Sequence, residues 1–427
     1  MGIAMIREAQ AAARNILNAA GSFPIQILIR IKKGALVRFT NNGVHQNGFQ
    51  DLFNYTLRAL GRDGAFYLES NDTSDAGIRN TLKKLKSFVS KPTDIPKLKK
   101  QTYPKVREYF PFRIETISEM ARNAIQKGTD LIRREYASAN GYYSAYERLF
   151  YLADSNGLEL AHPSTAVRFG VTLTKGSGKG YFSFYHPDTK KLDVASVVKA
   201  ANDLAHVASY GEVSLKPGHY ECIFHPRAFL ELIEPLRHHF DAHLYWDRKS
   251  VFSGLLGKKI LSKNFTLYEN LTHPRQFGVP FDLEGASKKK VVLIDHGVFK
   301  GLLSEGNSMR GTSEHPVYPQ NLVAQEGNLA LQSMFQQIRR GIFINKLRYH
   351  TLVRERGLEI TGLTTAGSLY IENGRVVGQL TRLRYHDSLL SILGAVTGQT
   401  KEQILLKDGE MGAALLPYFL ISKLRVV

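Results

Sequence analysis

The sequence is poor in cysteine and tryptophan and has no long apolar segment. Its 427 residues include one cysteine, Cys222, and one tryptophan, Trp246. A single cysteine excludes an internal disulfide and fits a reducing compartment. No apolar run reaches the roughly 18 residues that a membrane-spanning helix requires, and the first 20 residues are amphipathic rather than signal-like. We therefore expect a cytoplasmic protein that does not span a membrane.

Acidic residues are also scarce. The chain has 38 Asp and Glu against 57 Lys and Arg, a formal net charge of +19, and such a balance attracts nucleic acid, anionic lipid or acidic peptide. Much of the excess lies in a basic connection near residues 83–113, where several prolines break any long helix. Because no helix-turn-helix pattern, zinc finger or aromatic RNA-binding motif accompanies it, we favour a solvated surface over a nucleic-acid interface.

The pattern of the first half predicts mixed helix and strand. A helix over residues 1–20 precedes a strand at residues 25–31, where isoleucines occupy every second position. Asn41-Asn42-Gly43 then predicts a hairpin turn, because Asn and Gly tolerate positive φ. The later predicted elements of this half are a helix (114–134), a strand (142–158) and a second helix (193–209).

The second half predicts many antiparallel strands. After the turn Lys216-Pro217-Gly218, residues 219–224 predict a strand and Pro226 a helix start. Further predicted strands are at residues 290–294, 299–303 and 368–371. We therefore expect an α+β fold in which residues 1–215 form an amino-terminal mixed α/β domain and residues 216–427 form a carboxy-terminal domain rich in antiparallel β-sheet.

Three segments of the second half carry a family resemblance. Residues 233–238 are Ile-Glu-Pro-Leu-Arg-His, residues 250–254 are Ser-Val-Phe-Ser-Gly, and residues 280–285 are Pro-Phe-Asp-Leu-Glu-Gly. In this order and spacing they resemble the TldD/PmbA family of zinc peptidases, whose active members carry His-Glu-x-x-x-His where residues 233–238 stand. The resemblance is firmest from Pro217 to about Gln399.

The resemblance implies a heterodimer. A TldD-like chain carries zinc, and a TldE/PmbA-like chain completes a chamber that admits unfolded peptide. In the zinc-bearing members the two histidines and a later cysteine bind zinc, and the glutamate is the general base. Here Ile233 replaces the first histidine, Gly409 falls near the cysteine position, and no cysteine follows Cys222. We interpret Glu234 and His238 as a vestigial motif and expect no metal ligand in this chain.

A second histidine pair offers another metal hypothesis. His239 and His243 have the i, i+4 spacing of ligands on one helical face, but Phe240 stands where zincin chemistry needs glutamate. Whether His238, His239 and His243 bind any metal stays open. Pro235 is expected to kink a helix through the vestigial motif.

The segments that match the family best supply the candidates for a substrate-lining surface. These candidates are Ser253, Gly254, Asp282 and Glu284. An extended peptide could add there as a strand held by main-chain hydrogen bonds. The alternative is that Gly254 allows a turn while Asp282 and Glu284 cap or pair locally.

The sequence leaves the substrate, the cut site and homodimerisation open, but it supports a main hypothesis and two alternatives. We expect a noncatalytic TldE/PmbA-like subunit of a heterodimeric zinc metallopeptidase that acts on unfolded or precursor peptides. It has no cofactor of its own, and zinc is expected in the TldD-like partner. The first alternative is a metal-free, peptide-modifying enzyme of ribosomal peptide maturation. The second is a nucleic-acid-associated regulator that uses the basic connection near residues 83–113.

Overall fold

Two β-sheets with helices packed on them form the protein. The computed structural model describes residues 2–133, 138–304, 319–380 and 383–427. Within these residues, sheet 1 contains seven strands from the first half of the chain, and sheet 2 contains fourteen strands that follow them. Sheet 1 is entirely antiparallel and sheet 2 is mostly so. The α+β fold predicted from the sequence is confirmed.

Sheet 1 is long-stranded and has its helices on one side. Its strands are β1 (Gln26–Thr40), β2 (Gly43–Gly61), β3 (Gly64–Ser70), β4 (Pro92–Thr93), β5 (Ser138–Asp154), β6 (Glu159–Lys175) and β7 (Gly178–His186). They lie in the order β3-β2-β1-β5-β6-β7, and β4 pairs with β2. The helices of this half are α1 (Gly2–Ala20), α2 (Asp75–Phe88), α3 (Ile117–Arg133) and α4 (Val194–Ala208).

The two faces of β1 point to different parts of the core. Ile27, Ile29 and Ile31 are completely buried against α1 and α2, as their alternation predicts. On the opposite face, Leu28 packs with Phe281 from the second half of the chain. The inner face of sheet 1 is therefore the face that meets the second half.

Two local predictions for the first half have different outcomes. Asn41 and Asn42 have φ of 47° and 66° and join β1 to β2, so the predicted hairpin turn is confirmed. The prediction of a connection without a helix is wrong for residues 83–88, because they belong to α2. The side chain of Ser74 caps the start of α2 by accepting a hydrogen bond from the Gly77 N–H. Residues 89–113 contain no helix, and their only strand is the short β4.

Sheet 2 is built from shorter strands. They are β8 (Glu212–Val213), β9 (Gly218–Phe224), β10 (Leu267–Glu269), β11 (Val291–Asp295), β12 (Val298–Phe299), β13 (Leu322–Ala324), β14 (Arg340–Ile344), β15 (Leu347–Arg354), β16 (Glu359–Thr364), β17 (Leu369–Glu372), β18 (Arg375–Leu380), β19 (Arg384–Ser388), β20 (Val396–Asp408) and β21 (Gly412–Val426). The helices are α5 (Pro226–Leu232), α6 (Ala242–Trp246), α7 (Leu331–Gln337) and α8 (Leu389–Gly394).

The long strand β21 and its neighbour β9 lie within sheet 2. Strand β9 pairs with β21 on one side, antiparallel, and with β14 on the other, parallel. The predicted strand at residues 219–224 and the helix start at Pro226 are confirmed. The strand predicted at residues 299–303 is wrong beyond Phe299, where β12 ends. The domain boundary near residue 215 stays a prediction.

Among the described residues, no helix combines the length and the apolar character needed to cross a lipid bilayer.

Candidate functional site

Two short helices, α5 and a 3₁₀ helix, cover the segment around Glu234 and His238, the motif interpreted from the sequence as vestigial. Helix α5 ends at Leu232, and a 3₁₀ helix covers Glu234–Phe240 with Pro235 in its first turn. Pro235 therefore helps to begin a new helix rather than kinking a longer one, and the predicted kink is wrong. Ile233, between the two helices, is 1% exposed and packs in the main core of the second half.

Arg237 is the central charged residue of this segment. Its Nη1 atom donates to Glu234 Oε2 at 2.9 Å and to Asp408 Oδ1 at 2.7 Å, and its Nη2 atom donates to the Pro319 carbonyl. Asp408 ends β20 and precedes Gly409, which has a φ of +53°. The fold therefore brings the motif close to Gly409, the residue that the family resemblance places near the position of the cysteine ligand.

A cleft of about 480 Å³ opens beside this ion pair. One wall comes from the inner face of sheet 1, where Arg30 and Phe150 line it. The other wall includes Glu234, Arg237 and Asp408. The motif region therefore faces a cleft between the two sheets.

The electrostatics of the cleft depend on Arg237. Burial raises the pKa of Asp408, and the Arg237 guanidinium opposes that rise. Burial lowers the pKa of Arg237, but Asp408 and Glu234 more than offset this, so its pKa lies above the ordinary value. Arg237 is therefore a permanent cation between two carboxylates.

The donor set does not fit a zinc ion. Ile233 has no lone pair to offer, and Gly409 has no side chain. The carboxylates of Glu234 and Asp408 are held by the Arg237 guanidinium, which would repel a second cation. Across the described ranges, no three His, Cys, Asp or Glu side chains are grouped to hold a metal ion. We therefore assign no zinc chemistry to these residues.

The second histidine pair does not share a helical face. His239 lies in the 3₁₀ helix, whereas His243 lies in α6, which begins after Asp241 caps the Leu244 N–H. The shared face predicted from their spacing is therefore wrong. Burial lowers the pKa of His239 to about 4, with a smaller effect from His238 in the same direction. His243 Nε2 lies 3.4 Å from Asp247 Oδ2 at the surface.

Two of the substrate-lining candidates lie in the turn after α6. The Ser253 hydroxyl donates to the Tyr245 carbonyl at 3.0 Å, which fixes the turn to the helix. Gly254 is exposed and has a φ of +76°, and a Cβ atom there would meet open space. Glycine is needed at this position for its backbone conformation. Contact of either residue with a substrate stays a prediction.

The other two candidates lie in the loop between β10 and β11. Asp282 Oδ1 accepts hydrogen bonds from the N–H groups of Glu284 at 3.0 Å and Ala286 at 2.8 Å, so it stabilises the loop. The Glu284 carboxylate forms an ion pair with Arg58 of β2. Burial raises the pKa of Glu284, and Arg58 opposes that rise. The loop therefore attaches the second half to sheet 1, and a role in lining a substrate stays a prediction.

The arginine partners of Glu234 and Glu284 were not predicted from the sequence. Arg237 follows Glu234 at the i, i+3 spacing of a helical ion pair, and this signal was available. Asp408 had no local signal except its position before Gly409. Arg58 had none, because its partner Glu284 is distant in the chain.

Two family models cover most of the chain. One, described as the PmbA/TldA metallopeptidase C-terminal domain, matches residues 217–427, and one described as the central domain of that family matches residues 107–208. A metalloprotease from Methanothermobacter thermautotrophicus is 23% identical over 254 residues, which are 56% of this chain and 54% of the relative. A metalloprotease from Methanocaldococcus jannaschii is 26% identical over 200 residues, 43% of this chain and 44% of that one. The chain thus spans about half the length of these curated relatives.

A solved structure has the same fold. The crystal structure of TldE from Thermococcus kodakarensis matches with a TM-score of 0.80, covering 97% of this chain and 100% of that chain. The sequence identity is 19%, so the likeness concerns the fold alone.

Proposed function

The chain belongs to the PmbA/TldD metallopeptidase family, and from this premise we propose that it is a noncatalytic, TldE-like subunit. It pairs with a TldD-like, zinc-bearing relative in a heterodimer that cleaves unfolded or precursor peptides. Its own contribution is to complete the chamber and to bind the peptide. We retain the cytoplasm as its expected location.

The observation that carries this proposal is the position of Arg237. A hydrolytic zinc site needs about three protein ligands and an open position for water. In this chain a guanidinium cation lies between Glu234 and Asp408, and the residue at the first histidine position, Ile233, is in the core. Glu234 therefore has a cation to bind but no metal-bound water to deprotonate.

An unpaired edge of strand β2 supports the proposal that this subunit binds the peptide. Strand β2 pairs with β1 from Gly43 to Arg58, but β3 pairs only with the second part of β2, from Tyr55 to Gly61. Among the described strands, none covers the other edge of β2 over residues 43–54. Unpaired main-chain groups on such an edge can hold an extended peptide with little dependence on its sequence.

The test is the zinc content of the chain purified alone and after co-expression with a zinc-bearing TldD-like relative, measured together with molar mass. We expect less than about a tenth of a zinc per chain alone and about one per heterodimer. Stoichiometric zinc in the isolated chain, or no complex with the relative, would refute the proposal.

A variant separates a supporting role from a catalytic one. Glu234→Gln in this chain should leave the peptidase rate of the heterodimer unchanged, because Glu234 activates no water here. A general base in that position would lower the rate by about 100-fold or more when lost. The same substitution at the matching glutamate of the zinc-bearing relative is the positive control.

A further inference from the structure

Three cations on the inner face of sheet 1 form no ion pair with any residue that the structure describes. This cationic cluster consists of Lys32 on β1, Arg148 on β5 and Arg168 on β6. Lys32 lies directly opposite Arg148 in the register of the two strands. Like charges at such positions destabilise a sheet. Within the described parts of the chain, no ion pair or hydrogen bond is formed by the side-chain nitrogens of these three residues.

Aromatic rings hold the three cations in place. Lys32 Nζ lies 4.7 Å from the centroid of the Tyr146 ring, and Arg148 Cζ lies 4.8 Å from that of Phe150. Arg168 Cζ lies 5.6 Å from the centroid of the Tyr142 ring. Ring contacts orient a cation without neutralising its charge. The cluster is therefore preorganised and retains its positive charge.

Arg148 is the most buried member. The residue is 6% exposed, and its Nε atom is fully buried without a hydrogen-bond partner among the described residues. Burial of an unpaired charge is costly unless an opposite charge compensates it. The charge of the Arg148 guanidinium therefore favours a ligand with acceptor oxygens.

The carboxylates near the cluster have other partners. Glu108 Oε2 lies 3.0 Å from His162 Nε2, and Glu410 Oε2 lies 3.7 Å from Arg30 Nη1 at the surface. Lys407 adds a further amino group, which donates to the carbonyl oxygens of Glu410 and Gly412. Burial lowers the pKa of Lys32 and Arg148 lowers it further, while the Glu410 carboxylate opposes this shift without reversing it.

The position of the cluster indicates what would bind. Arg30 lines the 480 Å³ cleft, and Lys32 is the next residue of β1 on the same face. A peptide in the cleft could therefore place one of its groups on the cluster. Guanidinium groups match the planar carboxylate geometry. We propose that the cationic cluster binds a carboxylate of the peptide, either an acidic side chain or the carboxyl terminus, so that the protein prefers anionic peptides. This inference rests on the peptide-binding part of the proposed function.

Three labelled six-residue peptides test the preference by fluorescence anisotropy at fixed ionic strength, with the heterodimer and with the chain alone. The first carries two glutamates and an amidated carboxyl terminus, the second replaces the glutamates by glutamines, and the third is the glutamine peptide with a free carboxyl terminus. We expect the first or the third to bind about tenfold more tightly than the second. Tighter binding of the first peptide would identify an acidic side chain as the source of the carboxylate, and tighter binding of the third would identify the carboxyl terminus.

Matched variants assign the preference to the cluster. Lys32→Gln and Arg168→Gln should each remove most of it. Lys33→Gln changes the net charge equally but acts on the opposite face, where Lys33 pairs with Glu8 and Asp51, so it should retain the preference. Lys32→Gln should also leave the melting temperature unchanged or raise it, because it removes a repulsion. This outcome separates lost binding from lost folding.

Several results would overturn the inference. Equal binding of all three peptides would refute it while leaving peptide binding intact. Equal loss of affinity in Lys33→Gln and Lys32→Gln would replace it by a general charge effect. Tighter binding of a single-stranded oligonucleotide of the same charge would assign the cluster to phosphates. If no peptide binds, both the inference and the peptide-binding part of the proposed function fail.

Discussion

Arg237 and Asp408 form a buried ion pair that joins the 3₁₀ helix of the vestigial motif to the end of β20. The nitrogen and oxygen atoms lie 2.7 Å apart, and each side chain is 6% exposed. The two residues are 171 positions apart in the chain. Arg237 and Asp408 compensate each other's charge in the core, and Glu234 and the Pro319 carbonyl are further acceptors for Arg237.

Removal of one member of this pair should be strongly destabilising. Arg237→Ala leaves Asp408 buried without its cation, and we expect the free energy of unfolding to fall by about 3–5 kcal/mol. Urea denaturation of the purified chain measures this change. The double variant Arg237→Met and Asp408→Leu removes both charges and should recover most of the loss. A single variant as stable as the wild type would contradict the assigned role.

The ion pair between Arg58 and Glu284 should stabilise the contact between the two halves. Both side chains are largely buried, at 7% and 13% exposure. Glu284→Gln should lower the free energy of unfolding by about 1–3 kcal/mol, because it weakens a charge-assisted contact of a buried arginine. Glu69→Gln is the control, since its ion pair with Arg30 lies at the surface and should be worth about 1 kcal/mol or less. Equal effects of the two variants would argue against a special role for Glu284.

Two glycines of the candidate segments should respond differently to alanine. Gly285 has a φ of +89°, and a Cβ atom would lie 2.7 Å from Leu158 Cδ2. Gly254 has a similar φ but open space around it. Gly254→Ala should lower the free energy of unfolding by about 1 kcal/mol through backbone strain alone, and Gly285→Ala by about 1–3 kcal/mol more through overpacking. Thermal unfolding compares the stabilities of the two variants. Equal losses of stability would show that the neighbours of Gly285 accommodate the added methyl group without a free-energy cost.

His225 should make the protein sensitive to acid. Its Nδ1 atom accepts a hydrogen bond from the Arg227 N–H at 3.1 Å, and its ring packs edge-on against Phe182 and Tyr418. Burial lowers its pKa from 6.5 to about 3, and Arg227 adds to this effect. The unfolded chain therefore takes up a proton between these pH values while the folded chain does not.

The stability that neutral His225 supports is complete above pH 6.5 and is lost as the pH falls toward 3. His225→Asn keeps an acceptor for the Arg227 N–H but removes the titrating ring. Its free energy of unfolding should fall less steeply between pH 7 and pH 4 than that of the wild type, as measured by urea denaturation at a series of pH values. Parallel pH dependences in the two proteins would exclude His225 as the acid-sensitive group.

The sequence predicts those parts of the fold whose causes are local. The alternating isoleucines of residues 25–31 identify a strand with one buried face, Asn41-Asn42 identify a turn that needs positive φ, and Pro226 begins a helix. The prediction at residues 299–303 failed because a short local pattern does not specify whether a neighbouring strand is available beyond Phe299.

The candidate site was predictable only in part, for a related reason. The local sequence pattern identifies the motif at residues 233–238, but it does not specify which strands pair with each other. The opposition of Lys32 and Arg148 exists because β1 pairs with β5 in one register, and a shift by one residue would turn the two side chains to different faces. The partners of Arg237 and Arg58 depend in the same way on contacts between distant segments.

The position of β9 between β14 and β21 determines when this protein can complete its folding during translation. The ribosome synthesises β9 near the middle of the given sequence, whereas both of its neighbours follow later, and β21 comes last among the described strands. Before β14 is made both edges of β9 are unpaired, and one edge stays unpaired until β21 is made, which favours association with other chains. Pairing over such sequence separations is slow. We therefore expect newly made chains to need chaperone protection until β21 is inserted.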